Sequence, residues 1–380
     1  MTEVHSLAAD VDELLAPDRL STLSGTAVTD VALTPITPPF AKSGSALLQV
    51  TTNAGTGPRF VLKRVNLHRD WLMRATEDAR CRSVTLWQYG LLDRLPDSIA
   101  HGVLACARDG EGYALLMSDF GGQLMSNTPF SPERNHRFLD AMAALHAAFL
   151  EDEDGPSAGG PTRSREETPG GQPFLAMPEL GLCELRHVYQ MFSPAVGERE
   201  SRGVDEVPQR ILEGWKAVRA VVPPDVVRIV EPLVHDPTPL CRALSRYPQT
   251  LVHGDYRHSN LGYGADDETV ILLDWQLATR GTPSVELGRY VGANSALLPG
   301  SKEESLRYYA AALQRHLGSD AHLWWWPDQL ALGLLGGFIQ DGWAIVLKAT
   351  TWDVGADARE HWKADLAWWC DRVREGARRL

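Results

Sequence analysis

The sequence predicts an α+β fold of two lobes, a small antiparallel β lobe at residues 1–120 followed by a larger, mainly helical lobe at 121–380. Three observations carry this. Three β-branched and apolar runs separated by turn-forming clusters occupy residues 28–65. From Ser131 onward, apolar residues recur at helical spacing. At 380 residues the chain exceeds one ordinary domain, so two lobes with adequate cores are expected.

Taken in order, the first 20 residues are acidic and amphipathic, unlike the basic-then-apolar pattern of a secretory signal. Val28–Ile36, Ala46–Thr52 and Arg59–Val65 read as strands, with TPPFAKSG and NAGTGP as the turns between them. The third contains FVLKRV and sets Lys63 in an apolar strand. Trp71–Leu92 reads as a helix, and Tyr113–Phe120 as a strand running into a turn at Gly121 and Gly122. Ser131 is an N-cap candidate for a helix with Phe138, Met142 and Leu145 on one face. Residues 151–172 are acidic, then rich in Gly, Pro, Ser and Thr, the composition of a mobile loop or lid, whether functional or ornamental.

The apolar run Leu330–Leu347 is interrupted by Gln340, Asp341 and four glycines, so it is too short and polar for a membrane span and reads as a buried helix. Eight of the twelve tryptophans fall between 324 and 369. They could wall an aromatic pocket, but at helical spacing Trp362 with Trp369 or Trp368 packs a terminal helix onto its lobe. No internal repeat is apparent.

Composition narrows the function class. Hydrophobic residues at 44% and charged residues at 23% describe a soluble globular protein. A formal charge of -12 argues against nonspecific nucleic-acid binding, and it permits a cationic substrate although most of that charge solvates the surface. Five scattered cysteines without CxxC spacing suit a reducing cytoplasm. Nothing specifies an oligomeric state.

The most informative stretch is Leu251–Gln276, in which a polar loop is clamped between two apolar strand-like runs. It carries Asp255, Asn260 and Asp274. Phosphoryl transfer to a hydroxyl needs one carboxylate to orient or deprotonate the acceptor and hard oxygen ligands for the Mg²⁺ on the triphosphate. A DxxxxN spacing alone also occurs in plain turns; it is the flanking LVHGD and VILLDWQ that set this one apart. With HGDxxxxN and DWQ, where protein kinases carry HRD and DFG, the sequence resembles the aminoglycoside phosphotransferase and choline kinase superfamily, whose members share the protein-kinase fold. The resemblance spans roughly residues 25–350, and its specific part is 251–290.

That resemblance implies a protein-kinase-like architecture, with a nucleotide-binding β lobe and a catalytic, acceptor-binding helical lobe. It implies transfer of the ATP γ-phosphoryl group to a hydroxyl of a small molecule of the antibiotic, sugar or amino alcohol class. Asp255 would accept a hydrogen bond from that hydroxyl, Asn260 and Asp274 would hold Mg²⁺, and Lys63 would reach the phosphates. Lys42 competes with Lys63 for that last role, and a snorkelling or edge-strand Lys63 is the structural alternative.

The family's acidic partner of the strand lysine falls near Ser83, which cannot serve as a counter-ion. Glu77 is taken in its place, with Asp78 as the alternative. No GxGxxG occurs, and AKSGS at 41–45 offers only Gly44. Met117, Ser118, Asp119 and Phe120 resemble the interlobe hinge that holds adenine. His253 is placed in the catalytic set as a brace of its loop, and His146 as a packing residue. Arg257 and His258 either approach the reacting groups or face the surface, and Glu286 is structural at a helix start. Gln276 stands where DFG has Gly, with Trp275 packed beneath. Two alternatives stay open: a nucleotide-binding pseudokinase with little or no turnover, motivated by the missing Gly loop and displaced acid, and a protein kinase, disfavoured by the absence of APE.

Overall fold

The computed structural model describes residues 2–36, 43–151, 174–203, 206–318 and 321–380. Lys42 and all of the 151–172 segment beyond Glu151, read above as a phosphate contact and a lid, lie outside the described residues.

The chain begins with two short helices, α1 (Val11–Leu14) and α2 (Pro17–Ser24). Strands β1 (Val31–Ile36), β2 (Ala46–Thr52) and β3 (Phe60–Val65) follow, close to expectation. The first starts three residues late because Val28 and Thr29 donate their N–H groups to the Ser21 hydroxyl and the Asn53 amide oxygen, which holds them in a loop. The single helix expected over Trp71–Leu92 is two, α3 (Trp71–Ala75) and α4 (Arg82–Gln88). Between them Glu77 and Cys81 adopt φ of 53° and 56°. Asp78 turns back to cap α4, accepting from the Arg82 N–H at 2.8 and 2.9 Å.

Strands β4 (Ile99–Ala100) and β5 (Val103–Asp109) were not foreseen, and β6 (Gly112–Ser118) completes the lobe. The sheet is antiparallel, ordered β1-β2-β3-β6-β5. Leu62 pairs with Leu48 and Leu116, and the period-two pleat sends Leu62 and Phe60 to one face and Lys63 to the other.

The larger lobe is helical: α5 (Pro132–Ala148), α6 (Leu185–Gln190), α7 (Pro194–Glu200), α8 (Val207–Val221), α9 (Pro224–His235) and α10 (Thr238–Leu244). After four short strands come α11 (Pro283–Ala293), α12 (Lys302–Leu317), α13 (Trp326–Thr350) and α14 (Ala356–Ala377). Ser131 caps α5 as expected, accepting from Arg134 N–H at 3.2 Å.

Helix α13 is long and apolar enough to cross a membrane, but 94% of its most apolar window is buried in the protein. Its glycines explain how it fits. A Cβ on Gly288 of α11 would lie 2.4 Å from the Gly333 carbonyl oxygen, so the two helices cross backbone against backbone. Trp369 is fully buried against Phe338 with ring centroids 6.3 Å apart, which makes it core.

The four strands are β7 (Thr250–Val252), β8 (Leu261–Tyr263), β9 (Val270–Leu272) and β10 (Thr279–Gly281). Strand β8 pairs antiparallel with β9, β10 pairs antiparallel with β7, and β4 of the small lobe runs parallel to β9. The loop 253–260 and residue 274 therefore emerge side by side.

Candidate active site

Gly254 begins the loop with φ 85°, and a Cβ there would meet the Leu277 carbonyl oxygen at 2.5 Å, so both conformation and space call for glycine. His253 is fully buried. It accepts from the Asp255 N–H through Nδ1 at 3.2 Å and donates from Nε2 to the Leu273 carbonyl at 3.0 Å. Burial pulls its pKa down to about 4, so the ring is neutral and its two nitrogens have fixed roles. His253 thus ties the Asp255 loop to the strand before Asp274.

Asp255 is buried, and four donors meet its carboxylate. Arg289 gives Oδ1 two hydrogen bonds, from Nε at 3.0 Å and Nη2 at 2.6 Å. Oδ2 accepts from Arg257 Nε at 3.1 Å and Asn260 Nδ2 at 2.8 Å. Burial alone would raise this carboxyl, but Arg257 and Arg289 outweigh it and hold Asp255 well below the usual carboxylate range. Arg289 is itself buried and is shared with Asp341 of α13.

Glu286 does more than begin a helix. It is fully buried and accepts from the His253 N–H at 2.5 Å and the Gly254 N–H at 3.1 Å, bracing the loop from α11. Desolvation pushes its carboxyl up to about 7 against those hydrogen bonds. His146 lies 4.0 Å from it, buried and held uncharged by desolvation, with Nδ1 2.5 Å from the Tyr309 hydroxyl.

Across the cleft, Lys63 Nζ meets Asp274 Oδ1 at 2.8 Å. Burial lowers the ammonium's pKa, but Asp274 and Asp70 outweigh it and the net direction is upward. Glu77 is not the partner of Lys63. The break between α3 and α4 turns Glu77 outward, with its side chain 72% exposed and 3.7 Å from His187. Buried Asp70 stands nearer in charge terms while capping α3, accepting from the Leu72 and Met73 N–H groups at 2.9 and 3.1 Å.

Asp274 adopts φ 67°, a left-handed conformation that a non-glycine residue holds only when its surroundings enforce it. Its Oδ2 and the Oδ1 of Asn260, whose amide nitrogen is turned to Asp255, have no partner among the described residues. One carboxylate and one amide oxygen make a hard donor set that fits Mg²⁺.

At the connection between lobes, Met117 is buried in β6. Ser118 N–H is spent on the Gly102 carbonyl at 2.8 Å, and the Phe120 carbonyl on the Gln123 N–H at 2.8 Å. The Asp119 side chain is engaged by Gln49 at 3.1 Å and Arg59 at 3.0 Å. Only the Asp119 N–H and C=O and the Phe120 N–H are left for a ligand among the described residues here.

Sequence reasoning missed Arg289, Asp341 and Asp70. The signal for the first lay in VELGRYVG: an acid and an arginine one turn apart in an otherwise apolar helix must both find buried partners.

A model of the phosphotransferase enzyme family matches residues 40–323. Among curated proteins no sequence matches this chain. Of solved structures, an ethanolamine kinase of Plasmodium vivax is similar at 12% identity and TM-score 0.49, with 94% of this chain and 85% of that one covered. An aminoglycoside phosphotransferase of Streptomyces rimosus is similar at 18% identity and TM-score 0.44, covering 88% of this chain and 100% of that one. The choline kinase LicA of Streptococcus pneumoniae is similar at 11% identity and TM-score 0.45, covering 94% and 98%.

Proposed function

The chain belongs to the phosphotransferase enzyme family, and on that premise we propose that it transfers the γ-phosphoryl group of ATP to a hydroxyl of a small molecule in the cytoplasm. Residues 1–120 serve the nucleotide and 121–380 the chemistry and the acceptor. The observation that carries this reading is the meeting of Asp255, held by Asn260 and Arg289, with the Lys63–Asp274 pair across the cleft.

In this mechanism Lys63 leaves Asp274 for the phosphates, and Asp119 and Phe120 receive adenine through their backbone. Asp274 and Asn260 would hold Mg²⁺, which supplies neutralisation of the triphosphate charge. The acceptor oxygen forms a bond to the γ-phosphorus as the bond to the β–γ bridging oxygen breaks, and ADP leaves with that electron pair. Asp255 orients the hydroxyl. Held this far toward its ionised form it is a weak base, so the hydroxyl proton passes to it late, and then to solvent. Since all four of its acceptor positions are filled, one donor must yield to the hydroxyl, and Arg257, with 34% of its side chain exposed, is the one free to move.

The same saturation of Asp255 favours a second reading, a nucleotide-binding protein with little turnover. A screen of hydroxyl compounds for ATP consumption, with mass detection of the phosphate adduct, separates the two. Asp255→Asn should keep Mg-ATP affinity and lose about 10²–10⁴-fold in turnover. Unchanged turnover in that variant would remove Asp255 from the mechanism, and no adduct beside tight Mg-ATP binding would favour the second reading.

A further inference from the structure

Asp274 keeps its left-handed conformation, φ 67°, between two sets of contacts. Upstream, the Leu273 N–H donates to the Asn260 carbonyl at 2.9 Å, and the Leu273 carbonyl accepts from His253 Nε2 at 3.0 Å. Both partners belong to the loop that carries Asp255. Downstream lies the short 3-10 turn Trp275–Leu277. Trp275 Nε1 turns back to the Leu272 carbonyl at 3.0 Å, and the Ala278 carbonyl accepts from the Cys183 N–H at 2.8 Å. Between these stands Gln276, whose buried side-chain amide has no partner among the described residues. Its backbone carbonyl is taken by the guanidinium of Arg82.

Arg82 comes from the small lobe, where it opens α4. That helix contains no acid to offer Lys63, and it reaches the catalytic segment through this guanidinium instead. The Arg82 side chain is buried. Its Nη1 donates to the Gln276 carbonyl, its Nε donates to the Gly181 carbonyl at 2.7 Å, and Asp78 Oδ2 lies 3.8 Å from Nη1. A rigid fork of donors away from water must keep its acceptors, so the two carbonyls are fixed relative to α4. Among the described residues this is the one side-chain hydrogen bond that reaches the turn 275–277 from another element. A second tie from α4 provides a comparison: the Thr85 hydroxyl donates to the Leu180 carbonyl at 2.6 Å, beside Gly181 and without touching that turn.

We propose that Arg82 is a positioning residue for the metal aspartate: by holding the Gln276 carbonyl from α4, it keeps Asp274 in the strained conformation in which one carboxylate oxygen meets Lys63 and the other stays free for Mg²⁺. A strained residue persists only where its surroundings over-determine it, and Arg82 closes the downstream side of that enclosure. The proposal rests on the phosphotransferase reading, in which Asp274 is a metal ligand. It gives α4 a part in the metal site in place of the acid that Lys63 does not find there.

Three variants test it. Arg82→Met removes the guanidinium, Arg82→Lys leaves a cation able to meet one carbonyl at a time, and Thr85→Val removes only the tie to Leu180. The first readout is Mg²⁺-dependent ATP binding by calorimetry, which needs no turnover. Arg82→Met should weaken Mg²⁺ affinity in the ternary complex about 10–100-fold, the usual effect of losing a residue that orients a metal ligand. Arg82→Lys should fall between Arg82→Met and the parent. Thr85→Val should bind as the parent does while unfolding at lower urea. Once an acceptor is found, the same order should appear in kcat and in the Mg²⁺ concentration for half-maximal rate, with the acceptor KM little changed.

The second readout is amide hydrogen exchange of the peptide spanning residues 274–278 in the metal-free chain. Exchange should quicken in Arg82→Met, less in Arg82→Lys, and not in Thr85→Val. Arg82 variants that lose stability yet bind Mg-ATP like the parent would make Arg82 a plain brace between lobes and overturn the proposal. A Thr85→Val variant that loses Mg²⁺ affinity as far as Arg82→Met would overturn it too. Should Arg82→Met fail to fold, Arg82→Lys decides: an intermediate loss in both readouts supports the assignment, and parent-like values overturn it. A parent chain that binds no Mg-ATP would instead overturn the phosphotransferase reading, and the exchange result would still decide whether Arg82 holds the Asp274 segment.

Discussion

Arg289 holds Asp255 by directing Nε and Nη2 at the same carboxylate oxygen, Oδ1, at 3.0 and 2.6 Å, while its remaining nitrogen faces Asp341. The loop carboxylate is thus fixed from α11, and α11 is fixed from α13. The close crossing at Gly288 and Gly333 is what brings the arginine of one helix to the aspartate of the other.

Arg289→Met should therefore cost about 3–5 kcal/mol of stability, because it strands two buried carboxylates that one guanidinium had compensated. Urea unfolding measures this. Adding Asp341→Leu to the same chain should recover part of the loss, and strict additivity of the two changes would show that the residues do not share one network.

Gly288→Ala tests the crossing itself. An added methyl 2.4 Å from the Gly333 carbonyl oxygen must push α11 from α13, at about 1–3 kcal/mol. The displacement should also reach Asp255, so turnover should fall more than ATP affinity does. A variant as stable and active as the parent would show that the helices can separate without moving Arg289.

The Lys63–Asp274 pair leads to a metal prediction. Asp274→Ala removes the one carboxylate of the proposed cation site, so calorimetry should show Mg-dependent ATP binding weakened and the Mg²⁺ dependence largely abolished. The fold should survive, since the side chain is 33% exposed and the pair is only partly buried. Equal affinity in parent and variant, with and without Mg²⁺, would place the metal elsewhere.

What the sequence made legible was local. HGDxxxxN and DWQ announce themselves because Gly254, Asp255 and Asn260 serve one turn of chain, and β2 and β3 because alternation within one strand reports its two faces. What it hid was adjacency. Glu77 is near Lys63 in sequence terms, but a positive φ at 77 and the capping by Asp78 break the helix that would have carried it there. Asp70 and Arg289 reach their partners through packing between elements, and Arg289 meets an aspartate of another helix across a glycine contact that no periodicity records. Strand β5, with Cys106 between two alanines in VLACARD, has Val103 as its one β-branched residue and so carries little of the composition that betrays a strand.

Glu286 supplies a pH signature. Its folded pKa is raised from 4.5 to about 7, so the folded chain holds a proton there that the unfolded chain has released. Stability from a raised pKa is fully present below the unfolded value and is lost as pH rises through the folded one, a span of about 4.5 to 7 worth up to about 3 kcal/mol. His253, lowered from 6.5 to about 4, acts in the opposite sense, since its contribution is lost as pH falls. The two must be separated by mutation. Glu286→Gln keeps a carbonyl oxygen for the His253 and Gly254 N–H groups but cannot ionise, so parent minus variant stability, followed by urea unfolding, should decrease as pH rises from about 5 to about 7 and level off above the folded pKa. Glu286→Ala should be worse at every pH, by about 2–5 kcal/mol, because it leaves both buried N–H groups unmet. A stability difference between parent and Gln variant that is flat across this range would mean that Glu286 is ionised throughout and that its two backbone hydrogen bonds outweigh its burial.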